Sequence, residues 1–355
     1  WLLNDVLRDE WGFNGVVVSD WAGIKDRVKS LNAGNDLEMP RNISFARLLM
    51  TAVEDGSLEE SIVDRSVTRV LELVFKAKQN EKVSGFNIDE HHELAYKVAV
   101  ESIVLLKNED NILPLKRDKV KSLAVIGEMA LNPRYQGGGC AVTNPTKLDI
   151  PLDQIKALAG SSMDISFTNG YDYEDVVTKQ SIEEAVKTAK NCDAVLLFLG
   201  ISQGSESEGS DRNTLGIEDS HISLLDAIAE VNKNLIVILQ KGEAVTVKPW
   251  IGKVKGLVDM YYSGQAGGSA IADILFGKVN PSGKTTVTYP EKIEDIPGFI
   301  TYPGEGGDHF YGEGIFVGYR YYDKLKSRVC FPFGHGLSYT TFVYSDLEVS
   351  SESIN

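Results

Sequence analysis

Two groups of carboxylates in this sequence have neighbours that would suit nucleophilic or acid–base chemistry. The first is Asp20, which follows the apolar segment 14–19 and directly precedes Trp21. If that segment is a strand, Asp20 lies at its C-terminal end, where parallel α/β barrels carry their catalytic groups. A carboxylate beside an aromatic ring would suit attack on a sugar, with the ring as a platform. The alternative is that Asp20 caps the N-terminus of a helix, a position that aspartate favours.

The second group lies in the segment ESEGSDR, where Glu206, Glu208 and Asp211 are followed by Arg212. The segment comes after the apolar stretch 194–199, so we expect it in a loop at the C-terminal edge of a sheet, where open α/β sheets bind ligands. Neighbouring carboxylates raise one another's pKa, and an arginine lowers it. Such a cluster can therefore hold one carboxyl group with a raised pKa, as a general acid needs, and one with an ordinary pKa, as a nucleophile needs. The alternative is a solvated acidic loop without a chemical role.

Together, the two groups suggest glycoside hydrolysis with retention of configuration. That reaction needs two carboxyl groups about 5–5.5 Å apart, one as nucleophile and one as acid/base. Asp20 and Glu208 are far apart in the sequence and belong to different predicted domains. The hypothesis therefore requires a loop of the second domain to reach the strand ends of the first.

Alternating strand and helix patterns predict an α/β protein. Short strands are expected at 14–19 and 36–40, and helices at 22–33 and 43–78, the latter interrupted at Asp55-Gly56. This βαβα order is typical of an alternating α/β architecture. The chain would thus begin with two βα units.

A second block, residues 93–290, also alternates strand and helix patterns, which predicts a mostly parallel sheet with helices on both faces. Its expected strands are 103–106, 122–126, 164–168, 194–199, 235–239, 256–260 and 285–288, and its expected helices lie near 152–159, 181–190, 221–231 and 267–276. The polar segment 81–92 is interpreted as a linker. Residues 291–341, rich in glycine, proline and aromatic residues, are interpreted as an ordered connecting loop, and 342–350 as the first strand of a β domain.

The composition excludes several classes of function. The formal net charge of −15 would repel a phosphate backbone, so nucleic-acid binding is not expected. No apolar run reaches the length of about 18 residues that would indicate a membrane-spanning helix. The histidines show no metal-binding spacing, and neither a metal nor a cofactor is predicted. A homo-oligomer is left open.

The three cysteines are separated and odd in number, so neither a zinc site nor a disulfide framework is expected. They are Cys140, Cys192 and Cys330. Free thiols favour a reducing compartment such as the cytoplasm. No signal peptide is visible, but the chain starts without a methionine, so its localisation stays unknown.

Two glycine-rich segments resemble phosphate-binding motifs and are rejected. Residues 277–285 have five residues between their glycines where a P-loop has four, and they precede a predicted strand where a P-loop precedes a helix. Gly137-Gly138-Gly139 lacks the dinucleotide-binding spacing and is interpreted as close backbone packing or a substrate-side turn.

Taken in order, the motifs resemble those of the family 3 glycoside hydrolases and, within them, the β-glucosidases. The resemblance covers nearly the whole chain. Its motifs are GFNGVVVSDW at 12–21, NAGNDLEMP at 32–40, ESIVLLKN at 101–108, EGSDR at 208–212, GQAGG at 264–268, NPSGK at 280–284 and FPFGHGLSY at 331–339.

The resemblance implies a (β/α)8 barrel, an α/β sandwich and a fibronectin type III-like domain, in that order. An eight-unit barrel needs about 200–250 residues. Residues 1–80 are therefore interpreted as the last two βα units of the barrel, 93–290 as the sandwich, and 342–355 as the start of the β domain. On this interpretation the chain is a fragment of a longer enzyme and is expected to be inactive alone.

The resemblance also implies roles for individual residues. Asp20 matches the nucleophile and Glu208 the acid/base, with Glu206 as the competing acid/base two residues away. Trp21 resembles part of the aglycone-side platform. Asp211 and Arg212 match residues that shape the acid/base loop, with a salt bridge expected there.

The substrates implied are small β-glucosides or oligosaccharides, hydrolysed without metal or cofactor. β-Xylosidase activity, and hydrolysis or phosphorolysis of β-N-acetylglucosaminides, are the alternatives within the family. A non-catalytic carbohydrate-binding remnant is the alternative outside catalysis.

Overall fold

The structure, a computed structural model, describes residues 1–80, 85–202, 204–351 and 353. The chain divides into two compact units, Trp1–Phe86 and Asn87–Asn355. Of the linker predicted at 81–92, residues 81–84 lie outside the described residues, and a helix already begins at Ile88.

The first unit is mostly helical. It begins with a π-helix, Leu2–Glu10, which the sequence patterns did not predict. Three α-helices follow: α1 (Arg27–Asn32), α2 (Ile43–Glu54) and α3 (Glu60–Gln79). The predicted interruption between α2 and α3 is confirmed at Gly56, whose φ of +78° lies in the left-handed region that glycine tolerates. A small core of Leu31, Ala52 and Leu58 holds the helices together.

The segments 14–19 and 36–40 do not form the strands expected there. They meet at a single parallel bridge between Val18 and Leu37. Val18 is 46% exposed, so the segment is not covered on both faces as its apolar run suggested. One bridge between two short segments is too little pairing to make a strand ladder.

The second unit is built on a six-stranded sheet that confirms the predicted α/β class with a mostly parallel sheet. Its strands are β1 (Val104–Asn108), β2 (Ser122–Ile126), β3 (Asp164–Thr168), β4 (Ala194–Gly200), β5 (Leu235–Gln240) and β6 (Gly256–Asp259). Their order across the sheet is β1-β6-β5-β4-β2-β3. Only β1 runs antiparallel to its neighbour, and all other pairs are parallel.

The central strands form the core of this unit because they are continuously apolar. Every residue of β4 and β5 is buried, the pattern expected where both faces of a parallel sheet are covered. The helices are α4 (Ile88–Ser102), α5 (Pro151–Ala159), α6 (Lys179–Lys190), α7 (Asp219–Val231) and α8 (Gly267–Leu275). Four of them match predicted helices. The exception is α4, capped by the Asn87 side chain, whose polar start suggested a linker.

The C-terminal part of the chain departs from the predicted strands. The strand expected at 285–288 is displaced to β7 (Tyr289–Pro290), which pairs with β8 (Val329–Phe331) beyond helix α9 (Tyr319–Leu325). Residues 342–350 form no strand, because no described segment pairs with them. None of the described helices combines the length and the apolar character that crossing a membrane requires.

Candidate active site

Asp20 lies in the first unit, on the turn that follows the bridge between Val18 and Leu37. Its Oδ1 accepts a hydrogen bond of 2.6 Å from the backbone N–H of Trp21. The side chain of Asp20 is exposed, and Trp21 is 67% exposed beside it. Asp20 does not cap a helix: the N-cap of α1 is Asp26, whose carboxylate accepts from Lys29 N at 3.0 Å. Asp20 and Trp21 are therefore free to meet a ligand in this unit.

The buried carboxylate of Asp36 holds the segment that carries Asp20. Its Oδ2 accepts from Arg8 Nη2 at 2.6 Å and from Val17 N at 2.9 Å, and its Oδ1 accepts from Arg69 Nη1 at 3.0 Å. Its side chain is 1% exposed. Asp36 thus ties the π-helix and α3 to the backbone just before Asp20. This role was not predicted from the sequence, because the partners Arg8 and Arg69 are distant from Asp36 along the chain.

Glu206 is fully engaged at the C-terminal edge of the sheet in the second unit. Its carboxylate pairs with Arg212 Nη1 at 3.0 Å, and the two side chains are only 9% and 11% exposed. The backbone N–H groups of Gly242 and Glu243 donate to it at 2.7 and 3.2 Å, and the Tyr262 hydroxyl also donates. Burial and this contact raise the pKa of Tyr262. These bonds anchor the loop after β4 to the loops after β5 and β6.

Glu208, two residues later, is exposed and lightly held. Its Oε2 accepts from Cys140 N at 3.2 Å. Hydrogen bonds from the side chain and then the backbone of Cys140 lower the pKa of Glu208. Of the two competing glutamates, Glu206 is locked in the protein, and Glu208 presents its carboxylate to the surface.

The triple glycine at 137–139 packs directly beneath this loop, as its interpretation as close backbone packing predicted. Gly138 N donates to Glu206 O at 3.1 Å. A Cβ at Gly139, whose φ is +73°, would lie 2.6 Å from Glu208 Cβ. Only glycine leaves room for the Glu208 side chain at this position.

Asp211 and Arg212 make separate contacts. The salt bridge of Arg212 goes to Glu206. Asp211 instead accepts a hydrogen bond from the Tyr302 hydroxyl, and this bond raises the pKa of Tyr302. Tyr302 belongs to the segment rich in glycine and aromatic residues, which therefore contacts the loop that carries Glu206 and Glu208. The pairing of Arg212 could not be read from sequence, because three carboxylates lie within reach of it.

A buried ion pair supports the loop after β5. Lys241 Nζ, wholly buried, binds Asp259 and donates to the Tyr289 hydroxyl at 2.6 Å. Burial lowers the pKa of Lys241 despite the attraction of Asp259. Lys241 precedes Gly242, one of the groups that hold Glu206, so this pair fixes the backbone on which the site rests.

No metal centre is formed by the described residues, since no three of their His, Cys, Asp or Glu side chains cluster suitably. Two of the carboxylates singled out from the sequence are exposed: Asp20 in one unit and Glu208 in the other.

Comparison with known proteins identifies the class of protein. Residues 1–73 match the glycosyl hydrolase family 3 N terminal domain, and residues 103–339 match the glycosyl hydrolase family 3 C-terminal domain. The chain belongs to glycoside hydrolase family 3, as the resemblance implied.

Individual relatives refine this picture. Thermostable beta-glucosidase B of Acetivibrio thermocellus is 44% identical across the whole chain, which covers 47% of that protein. An exo-alpha-(1->6)-L-arabinopyranosidase of Bifidobacterium longum is also 44% identical across the whole chain, which covers 48% of it. The crystal structure of a GH3 beta-glucosidase from Bifidobacterium adolescentis superposes with a TM-score of 0.88 at 47% identity, over 96% of this chain and 50% of that one. The chain thus spans about half the length of its relatives.

Proposed function

We propose that this chain contributes the nucleophile and the acid/base of a retaining β-glucosidase. Asp20 attacks the anomeric carbon while Glu208 protonates the leaving oxygen, and water deprotonated by Glu208 then releases the sugar. Family membership supports glycoside hydrolysis, and the beta-glucosidase relatives support β-glucosides or short oligosaccharides as substrates. Trp21, exposed beside Asp20, is proposed to face the aglycone.

The observation that carries the acid/base assignment is the difference between the two glutamates. A general acid/base must exchange protons with the substrate and with water, so its carboxylate has to be accessible. Glu206 is occupied by Arg212, Tyr262 and two backbone N–H groups. Glu208 keeps an exposed carboxylate, which accepts hydrogen bonds from Cys140. The acid/base role therefore belongs to Glu208.

The contacts of Glu208 also affect its protonation state, which must differ between the two steps of the proposed reaction. Hydrogen bonds from Cys140 lower its pKa and so favour the carboxylate form. The carboxylate is the form that deprotonates water in the second step. In the first step Glu208 must carry a proton, so we propose that the leaving-group oxygen takes the place of the Cys140 contact.

The nucleophile is tested with Asp20→Ala in a preparation carrying this chain that hydrolyses an aryl β-D-glucoside. Turnover is expected to fall by orders of magnitude, and added azide or formate to restore part of it by attacking in place of the carboxylate. Formation of an α-glucosyl azide identifies the rescued product. If neither the loss nor the rescue occurs, Asp20 is not the nucleophile.

The acid/base is tested with Glu208→Gln and, as the matched variant, Glu206→Gln. For Glu208→Gln, substrates with good leaving groups should suffer least in the first step, because they depart without a proton. Glu206→Gln should lower activity equally for all leaving groups, through disturbance of the loop. The reverse pattern would assign the acid/base role to Glu206.

Substrate choice separates the alternatives. We expect the order aryl β-D-glucoside, then aryl α-L-arabinopyranoside and aryl β-D-xyloside, in kcat/KM. The aryl α-L-arabinopyranoside is included because one relative is an arabinopyranosidase. Product formation that requires phosphate would indicate a phosphorylase. If the unsubstituted protein shows no catalysis and Asp20→Ala still binds sugar, the chain is a non-catalytic binding remnant.

A further inference from the structure

The strand order of the second unit creates a crevice at the edge of its sheet. From β2 the chain passes to β3 on one side, and then to β4 on the other side of β2. The loops that leave the carboxyl ends of β2 and β4 therefore run in opposite directions. In open α/β sheets, ligands bind in the crevice at such a switch point.

A cavity of about 300 Å³ lies in this crevice. It is bounded by the loops that follow β2, β3, β4 and β6, and its lining includes Glu128, Arg134, Tyr135, Asp172, Tyr173 and Glu206. Glu208 is not among the lining residues, so the cavity does not coincide with the proposed acid/base. Its volume is at the lower end of small-molecule pockets, about 300–1,000 Å³, which suits one small ring and not a chain of them.

Glu128 is a buried carboxylate of this lining with one oxygen unpaired among the described residues. The residue is 7% exposed, and its Oε1 accepts a hydrogen bond from Asn132 Nδ2. Its Oε2 is buried without a hydrogen-bond partner among the described residues. A buried carboxylate oxygen is costly to leave unpaired, so a donor in the cavity would stabilise it.

The other polar groups of the lining specify what the ligand must offer. Tyr135 OH already accepts from Gln136 Nε2 at 3.1 Å, so its own proton is available for an acceptor in the cavity. Asp172 and Tyr173 add an acceptor and a hydroxyl at the exposed rim. An ammonium ion can donate to Glu128 but cannot accept from Tyr135. Hydroxyl groups do both, and tyrosine rings offer apolar faces for a sugar ring.

We propose that this cavity is a second sugar site that binds one monosaccharide, with a hydroxyl of the sugar donating to Glu128 Oε2. Glu208, the proposed acid/base, is not among the residues that line it. Ser202, Gly204 and Glu206 line the cavity, and Glu206 anchors the loop that carries Glu208, so an occupant would contact that loop.

The test titrates D-glucose into the ¹⁵N-labelled chain and follows amide chemical shifts. We expect saturable shifts in the loops after β2 and β3. Glu128→Gln, which keeps the shape but replaces the acceptor by an amide, should weaken the Kd at least 5-fold. Asp20→Asn should leave it unchanged, which separates this site from the proposed catalytic one. The matched control is Glu230→Gln, an exposed glutamate on α7.

Several results would overturn the proposal. They are absence of saturable shifts up to 100 mM D-glucose, loss of binding on Asp20→Asn but not on Glu128→Gln, and equal binding of methylammonium chloride. Should Glu128→Gln fail to fold, Tyr173→Ala at the exposed rim replaces it, with the same expected weakening. Unchanged binding in that variant also refutes the site.

Discussion

Arg212 pairs with Glu206 and not with Asp211, the carboxylate next to it in the chain. The pair is nearly buried, and Glu206 receives three further hydrogen bonds from neighbouring loops. This arrangement makes Glu206 a fixed point of the loop and leaves Glu208 accessible. It also separates the structural carboxylate from the one proposed to react.

Breaking this pair should be costly. Arg212→Gln leaves the charge of Glu206 buried without its counter-ion, which is expected to lower the free energy of unfolding by about 3 kcal/mol. Asp211→Asn, at an exposed hydrogen bond, should cost less than about 1 kcal/mol. Urea unfolding of the chain measures both. Equal losses for the two variants would mean that the pair does not hold the loop.

The double variant Glu206→Gln with Arg212→Gln separates an unpaired charge from a lost contact. If the unpaired charge dominates the cost of Arg212→Gln, the double variant should be more stable than that single variant. A double variant that is less stable still would assign the cost to lost packing and hydrogen bonds.

Gly139→Ala should impair activity more than Gly209→Ala, although both sites have positive φ angles. The added Cβ at Gly139 would lie 2.6 Å from Glu208 Cβ, whereas nothing lies within 4 Å of a Cβ at Gly209. Backbone strain is thus common to the two variants, and displacement of Glu208 is confined to the first. We expect about 10- to 100-fold lower turnover for Gly139→Ala relative to Gly209→Ala.

Aryl β-D-glucoside hydrolysis measures this effect, with unfolding curves recorded alongside. Similar turnover in the two alanine variants would show that the clash is relieved without moving the glutamate. A larger loss of turnover in Gly209→Ala would mean that activity depends more on the backbone at Gly209 than on the contact between Gly139 and Glu208.

Asp36→Asn should destabilise the first unit. It removes a charge that two arginines, Arg8 and Arg69, share inside the protein. The expected loss is about 3–5 kcal/mol, because both guanidinium groups lose their counter-ion. Limited proteolysis of residues 1–80 reports on this unit, with Asp64→Asn on the exposed face of α3 as control. Equal protease resistance of the two variants would contradict the role of Asp36.

The second unit should lose stability as the pH falls, in part through His221. This side chain is wholly buried against Tyr171, and burial lowers its pKa. The unfolded chain takes up a proton near pH 6.5 and the folded chain only at lower pH, so the free energy of unfolding decreases below about pH 6.5. The decrease is at most about 1.4 kcal/mol per pH unit for one group.

His221→Leu should therefore flatten the dependence of unfolding on pH between about pH 7 and about pH 5. Replacement of the exposed His309 by Asn is the matched control. Urea unfolding at a series of pH values gives the slopes. A wild-type slope that persists in His221→Leu would assign the acid sensitivity to other groups.

The sheet was predictable from sequence because its strands carry the pattern that their environment demands. β4 and β5 are apolar throughout and buried throughout, so composition alone marks them. The segment 14–19 carries the same pattern but has one bridge and an exposed Val18, because strand formation depends on neighbours that local sequence does not supply. Helix α4 was missed for the opposite reason: its polar start resembles a linker, and its packing decides its structure.

For the candidate site, the sequence predicted that its carboxylates lie in loops but could not predict the contacts of those loops. Glu206, Glu208 and Arg212 stand together in the chain, yet which glutamate is buried depends on Gly242, Glu243 and Tyr262 from other loops. Asp36 was passed over because Arg8 and Arg69 flank it only in three dimensions. Partners that are distant in sequence cannot be paired by spacing alone.

The anchoring of Glu206 limits how far the proposed acid/base can travel. An extended chain advances by about 3.5 Å per residue, so the backbone of Glu208 stays within about 7 Å of that anchor however the rest of the loop moves. On the proposed mechanism, the loop beyond Gly209 could rearrange around leaving groups of different size without displacing Glu208. The short connection from Glu206 to Glu208 would thus allow aglycones of varied size and keep Glu208 near one position.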